Sequence, residues 1–146
     1  MAEILVVDDD AAVRESLTAV LEASGHLVDQ AADGEQALRA VDASLPDLIL
    51  LDLAMPVMSG WHVLEELHGR DLRRRTRVLL MSGQFEPSEV ARRAPWDRFI
   101  AKPFDVDELV QIVEDVLAQD PADLYVRRAR TDDLARLLRE VDDVIG

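Results

Sequence analysis

The residues able to do chemistry in this chain stand at the ends of short apolar runs. Ile4-Leu5-Val6-Val7 stops at Asp8-Asp9-Asp10, and Leu48-Ile49-Leu50-Leu51 stops at Asp52. Val78-Leu79-Leu80-Met81 ends in Ser82-Gly83, and a fifth strand, Arg98-Phe99-Ile100-Ala101, ends in Lys102-Pro103. Three consecutive carboxylates repel one another if buried and unpaired. A divalent cation relieves that repulsion, and hard oxygen donors without His or Cys nearby suit Mg²⁺ or Mn²⁺ on Asp8 to Asp10 plus Asp52. Helix capping by Asp10, with solvated neighbours, accounts for one of the three aspartates and leaves the other two unexplained. Lys102 is the only lysine of the chain, and beside carboxylates and a metal its compact ammonium pairs with a phosphoryl oxygen as a point charge. Pro103 fixes the backbone next to it. Ser82 offers a hydroxyl for the same group. Singly, Asp52 reads as a turn or cap aspartate, Lys102 as a surface lysine and Ser82 as part of a turn. Together they suit in-line phosphoryl transfer to Asp52, with an aspartyl phosphate as the product.

Positioning such residues requires elements that deliver them to one edge. Val13, Leu17, Val20 and Leu21 mark one face of a helix that Gly25 ends. Leu27 to Ala31 is a weaker strand, and Asp33-Gly34 turns into a helix through Ala37, Leu38 and Val41. The run ending at Asp52 is bounded by Met55-Pro56 and Ser59-Gly60, the pattern of a strand buried on both faces. Val63, Leu64 and Leu67 predict a third helix ending near Gly69. The fourth, Glu86 to Arg93, is cut short by Ala94-Pro95-Trp96. Asp105 with Glu108 opens a fifth, whose apolar face is Leu109, Ile112, Val113, Val116 and Leu117. Alternating strands and helices at these spacings predict an α/β fold with a five-stranded, doubly wound parallel sheet. Such sheets bind ligands at the carboxyl ends of their strands.

Composition narrows the function classes. A chain of 146 residues with 49% hydrophobic residues makes one domain with a proper core and a short appendage. No cysteine is present, which removes disulfides and thiolate metal sites and fits a reducing, cytoplasmic setting. Apolar runs are too short for a membrane span, and Met1-Ala2-Glu3 leads straight into a strand, leaving no room for a signal peptide. A net charge of −14 argues against nucleic acid and anionic lipid as partners.

With these residues in place, the chain resembles the receiver domain of two-component response regulators, of flavodoxin-like fold. Val6-Val7-Asp8-Asp9, Leu51-Asp52-Leu53-Ala54-Met55-Pro56 with Gly60, Met81-Ser82-Gly83 and Phe99-Ile100-Ala101-Lys102-Pro103-Phe104 carry the resemblance, from residue 3 to about 118. It implies that Asp52 takes a phosphoryl group from a histidine kinase or phosphotransfer protein. It implies Mg²⁺ held by Asp8, Asp9, Asp52 and the backbone carbonyl of Ala54, with Lys102 on the phosphoryl group. Ser82 would be the switch hydroxyl and Phe99 the switch aromatic; read without the family pattern, Phe99 is an ordinary core residue. Ala54 and Gln84 stand at the positions that tune phosphoryl lifetime, and an alanine cannot position an attacking water, so slow self-dephosphorylation is expected. Only 20 positions separate Ser82 from Lys102, and the short interval again points to an irregular fourth helix.

The expected organisation is a receiver over residues 1–119 and a linker with an amphipathic helix over 120–146. Thr131 caps that helix, and Leu134, Leu137, Leu138, Val141, Val144 and Ile145 form its apolar stripe. The stripe folds back on the receiver, makes a homodimer contact or docks a partner; the tail is too short for a DNA-binding or catalytic output domain. The protein is then a stand-alone switch whose output is a protein contact, and no enzyme beyond its own phosphorylation and dephosphorylation. Two rivals remain. One is a constitutive, never phosphorylated interaction module. The other is a haloacid-dehalogenase-like phosphatase with Asp8 as nucleophile and Asp10 as acid/base, which lacks an evident cap domain and carries Ala11 after that motif. Arginines 70, 73, 74, 75 and 77 form a basic connection, read as solvated or as a patch for an acidic partner. His26, His62 and His68 are scattered, and Trp61 and Trp96 read as packing residues.

Overall fold

A computed structural model describes residues 1–94 and 97–122. Ten elements alternate: β1 (Glu3–Val7), α1 (Ala11–Ala23), β2 (Leu27–Ala31), α2 (Gly34–Ala43), β3 (Leu48–Asp52), α3 (Gly60–Gly69), β4 (Arg77–Ser82), α4 (Pro87–Arg93), β5 (Arg98–Ala101) and α5 (Val106–Leu117). All strand pairs are parallel, in the order β2-β1-β3-β4-β5. The five-stranded doubly wound sheet is the one the sequence predicts. Its order reverses between β1 and β3, which places the topological switch point between the strands that end beside Asp8 and Asp52.

Strand alternation sorts the core into two layers. Leu5, Val7, Ile49, Leu51, Val78 and Leu80 face α2, α3 and α4, which add Leu38, Val41, Val63, Leu67 and Val90. Ile4, Val6, Leu48, Leu50, Leu79 and Met81 face α1 and α5, which add Leu17, Leu21, Leu109, Val113 and Val116. Every residue of β3 is buried, because helices cover both faces of a central parallel strand. Each leucine so buried contributes about 1.5–3 kcal/mol relative to exposure. Strand β2 lies at the sheet edge and is mostly exposed, which accounts for its weaker apolar pattern.

Local chemistry sets the element ends. Asp10, Asp33, Ser59 and Asp105 cap α1, α2, α3 and α5 through side-chain oxygens that accept backbone amides. Gly25 follows α1 with φ +93°, a conformation that costs glycine little. Helix α4 has seven residues, with Pro87 in its first turn, as the short interval before Lys102 requires. Trp96, the Thr131 cap and the stripe from Leu134 to Ile145 lie outside the described residues.

The arginine connection is less solvated than its composition suggests. Arg73 is buried in an ion pair with Asp97, just before β5. Arg77 donates to the carbonyls of Gln119 and Asp47, and Arg70 to the carboxylates of Asp42 and Glu66. These three arginines tie the connection to α2, α3 and the residues flanking β3, β5 and α5. Arg74 and Arg75 are exposed.

Candidate functional site

Each strand that reaches the switch point hands over one functional group. Asp8 follows β1 and is fully buried; its Oδ1 accepts from the Asp10 amide at 2.9 Å and its Oδ2 from Lys102 Nζ at 2.5 Å. Asp9 is exposed beside it. Asp52 ends β3, 4% exposed, with Oδ1 accepting from the Ala54 amide at 3.1 Å and Oδ2 lying 3.5 Å from Lys102 Nζ. Lys102 follows β5, and its amide donates to the Ser82 carbonyl at 2.9 Å, so the ends of β4 and β5 stay in register. The Lys102–Pro103 peptide is cis.

Oxygens of Asp8, Asp9 and Asp52 lie within 4.8 Å of one another, close enough to hold one ion. Three carboxylates with no nitrogen or sulfur donor fit a small hard cation such as Mg²⁺. Asp10 stands apart: its Oδ1 accepts from the Ala12 and Val13 amides at 2.9 and 3.4 Å, which makes it the cap of α1. The metal reading of the acidic triplet therefore narrows to Asp8 and Asp9, and capping accounts for the third.

Charge crowding shows in the proton affinities. Burial and the neighbouring Asp8 carboxylate push the Asp52 pKa up to about 6, against the pull of Lys102 and the Ala54 amide. Burial works to strip the Lys102 proton, but the hydrogen bond to Asp8 and the charges of Asp52 and Asp8 outweigh it and hold its pKa above the usual value. Lys102 is the cation that keeps two buried carboxylates tolerable.

Ser82 is buried at the end of β4, and its Oγ accepts from the Gln84 and Phe85 amides at 3.0 and 3.2 Å. Phe99 lies half-buried on the layer that holds α2, α3 and α4, among its packing residues. Ala54 has its amide on Asp52, and Gln84 is exposed. The structure thus gathers Asp8, Asp9, Asp52 and Lys102 into one pocket, with Ser82 at the end of the adjacent strand.

Two contributors escape a reading of strand ends. Arg14 Nη1 donates to the Asp8 carbonyl at 2.7 Å, pinning the turn that carries the acidic triplet. It is the only basic residue in α1, and that isolation is the signal that could have found it. Gly60 packs so tightly that a Cβ there would stand 2.2 Å from the Asp52 carbonyl oxygen and 2.7 Å from Leu53 Cα. Only glycine lets α3 begin this close to the end of β3.

The fold and pocket together define a doubly wound α/β protein with an acidic, lysine-bearing site at its switch point. The family model of the response regulator receiver domain matches residues 4–114, and the chain belongs to that family, the receivers of two-component systems. It is 36% identical over 124 residues to the response regulator MprA of Mycolicibacterium vanbaalenii, covering 82% of this chain and 52% of that protein. It is 34% identical over 115 residues to sporulation initiation phosphotransferase F of Bacillus subtilis, covering 79% of this chain and 93% of that one. The chain spans about half the length of the first relative and nearly all of the second. Among solved structures, chemotaxis response regulator CheY4 of Vibrio cholerae superposes with a TM-score of 0.73 at 28% identity, covering 80% of this chain and 98% of that one. The receiver domain of the Francisella response regulator 1452 gives 0.74 at 26% identity, covering 81% and 98%. Among the described residues, no helix is long and apolar enough to cross a membrane.

Proposed function

We propose that this protein is a signalling switch in which Asp52 accepts a phosphoryl group from the phosphohistidine of a histidine kinase or phosphotransfer protein. The observation that carries this reading is the placement of Lys102 Nζ between two buried carboxylates, 2.5 Å from Asp8 and 3.5 Å from Asp52. An Asp52 oxygen attacks phosphorus in line, the P–N bond breaks, and the imidazole leaves with the electron pair. Lys102 then turns from Asp52 to the equatorial oxygens, where negative charge accumulates. Ser82 Oγ, one single-bond rotation from its present partners, donates to a phosphoryl oxygen. Asp8, Asp9, Asp52 and the carbonyl of Ala54 would hold a divalent cation, Mg²⁺ or Mn²⁺, which when bound supplies charge neutralisation and a template for the donor. Phe99 follows Ser82 as the aromatic that repacks, and the altered surface governs a protein partner.

The phosphatase alternative loses support here. Asp8 has no exposed surface and is tied to Lys102, while Asp10, its acid/base in that scheme, is engaged in capping α1. The constitutive module remains the second reading, and one experiment separates all three. Intact mass is measured with a small phosphodonor and Mg²⁺, on wild type and Asp52→Asn. We expect one added phosphoryl group on the wild type, dependent on Mg²⁺ and absent from the variant. No adduct on either protein supports the constitutive module, and an adduct that survives in Asp52→Asn moves the nucleophile to Asp8.

A further inference from the structure

Ser82 holds more than its own turn. Its Oγ accepts the amide of Phe85 at 3.2 Å, and the Phe85 ring meets Trp61 of α3 edge-on, with centroids 5.7 Å apart and planes at 84°. Arg93, at the end of α4, lies near both rings: its guanidinium carbon is 3.8 Å from the Trp61 ring centroid and 5.8 Å from that of Phe85. Such a stack is an attractive combination of quadrupole and cation–π contacts. It joins α3, the β4–α4 connection and α4, and the serine hydroxyl links it to the pocket. Trp61 Nε1 is buried and has no hydrogen-bond partner among the described residues.

We propose that this Trp61–Phe85–Arg93 stack is a second element, beside Phe99, through which phosphorylation reaches the surface, unseated when Ser82 Oγ leaves the Phe85 amide. The inference rests on the phosphoacceptor reading given above and adds a second route out of the pocket. A serine hydroxyl moves between staggered positions about one bond. Once it donates to a phosphoryl oxygen, the Gln84 and Phe85 amides lose the acceptor that fixes their turn. Phe85, packed with Trp61 against the core, then loses the backbone hydrogen bond that fixes its ring against Trp61, and the indole under Arg93 becomes more open to solvent. The α3–α4 face, closed by the stack at rest, becomes the face that differs between the two states.

The test follows Trp61 by fluorine NMR on the full chain labelled with fluorinated tryptophan, with Trp96→Phe identifying which of the two tryptophan signals belongs to Trp61. Phosphorylation by a small phosphodonor with Mg²⁺ is monitored on the same samples by intact mass. The Trp61 resonance is expected to shift as the phosphorylated fraction rises. In Phe85→Leu, which still takes up the phosphoryl group, the resonance starts displaced and no longer responds. In Ser82→Ala it also starts displaced, because the turn lacks its acceptor from the outset. A wild-type protein that gains the phosphoryl group while its Trp61 resonance stays in place overturns the inference and leaves the phosphoacceptor reading standing. A protein that gains no phosphoryl group overturns that reading and the inference with it.

Discussion

Asp52 is ionised at neutral pH against the pull of its surroundings, and that tension has a measurable sign. Its folded-state pKa of about 6 lies above its usual value of 3.8, so the folded state binds the proton more tightly than the unfolded chain. The stabilisation that this proton confers is complete below about pH 4 and is lost as pH rises through about 6. Asp52→Asn removes the charge and is expected to raise metal-free stability at pH 7 by roughly 1–3 kcal/mol, a gain that shrinks to nothing near pH 4. Urea unfolding across that range reads it directly. Ala54 gives a second expectation at this scale. With a methyl group in place of a polar side chain, the aspartyl phosphate should outlive that of an Ala54→Asn variant by about tenfold, about 1.4 kcal/mol of barrier, as followed by loss of the mass adduct. Asp8, Asp9, Asp52 and Lys102 were legible because each interrupts an apolar run with a charge. Arg14 was not, because its partner is a backbone carbonyl, and Arg73 was not, because Asp97 is distant in sequence.

Among the elements, the junction of β3 and α3 has the least slack. The three nearest atoms that a Cβ at Gly60 would strike all belong to the backbone, so none can swing aside. Gly60→Ala is expected to cost about 3 kcal/mol and to reduce the rate of phosphoryl uptake, since relief must displace Asp52 or the start of α3. Thermal unfolding and time-resolved intact mass check the two halves. Strand positions were readable from short apolar runs between breakers, and β2 and β5 match their expected limits residue for residue. Where β1 and β4 run past the pattern, into Glu3, Arg77 and Ser82, backbone pairing continues after side-chain hydrophobicity has stopped. The capping role of Asp10 was legible as one of two alternatives, and only the positions of the Ala12 and Val13 amides decide it.

At the scale of the molecule, the sheet is a partition between two cores that share one set of strands. Leu50 and Leu51 are neighbours in β3, yet they belong to opposite layers and both are fully buried. Leu50→Ala and Leu51→Ala should each cost about 2–5 kcal/mol, and both variants should unfold in a single transition by circular dichroism and tryptophan fluorescence alike. A loss of coincidence in one variant only would mean that the layers fold independently. The doubly wound order was readable because parallel neighbours need crossover helices and these cross with one hand. Side-chain contacts between helices, such as the stack of Trp61, Phe85 and Arg93, carry no pattern along the chain, and their presence emerges only from the fold.

Lys102, the only lysine, has its amine committed to Asp8 and Asp52 and held protonated. A protonated amine is a poor nucleophile, so acylating reagents, whether metabolic acyl donors or laboratory amine dyes, meet no reactive lysine on the resting protein. Any acyl group that did reach Lys102 would erase the cation shared by the two buried carboxylates. Lysine acylation of this chain would therefore report on a single place, the pocket.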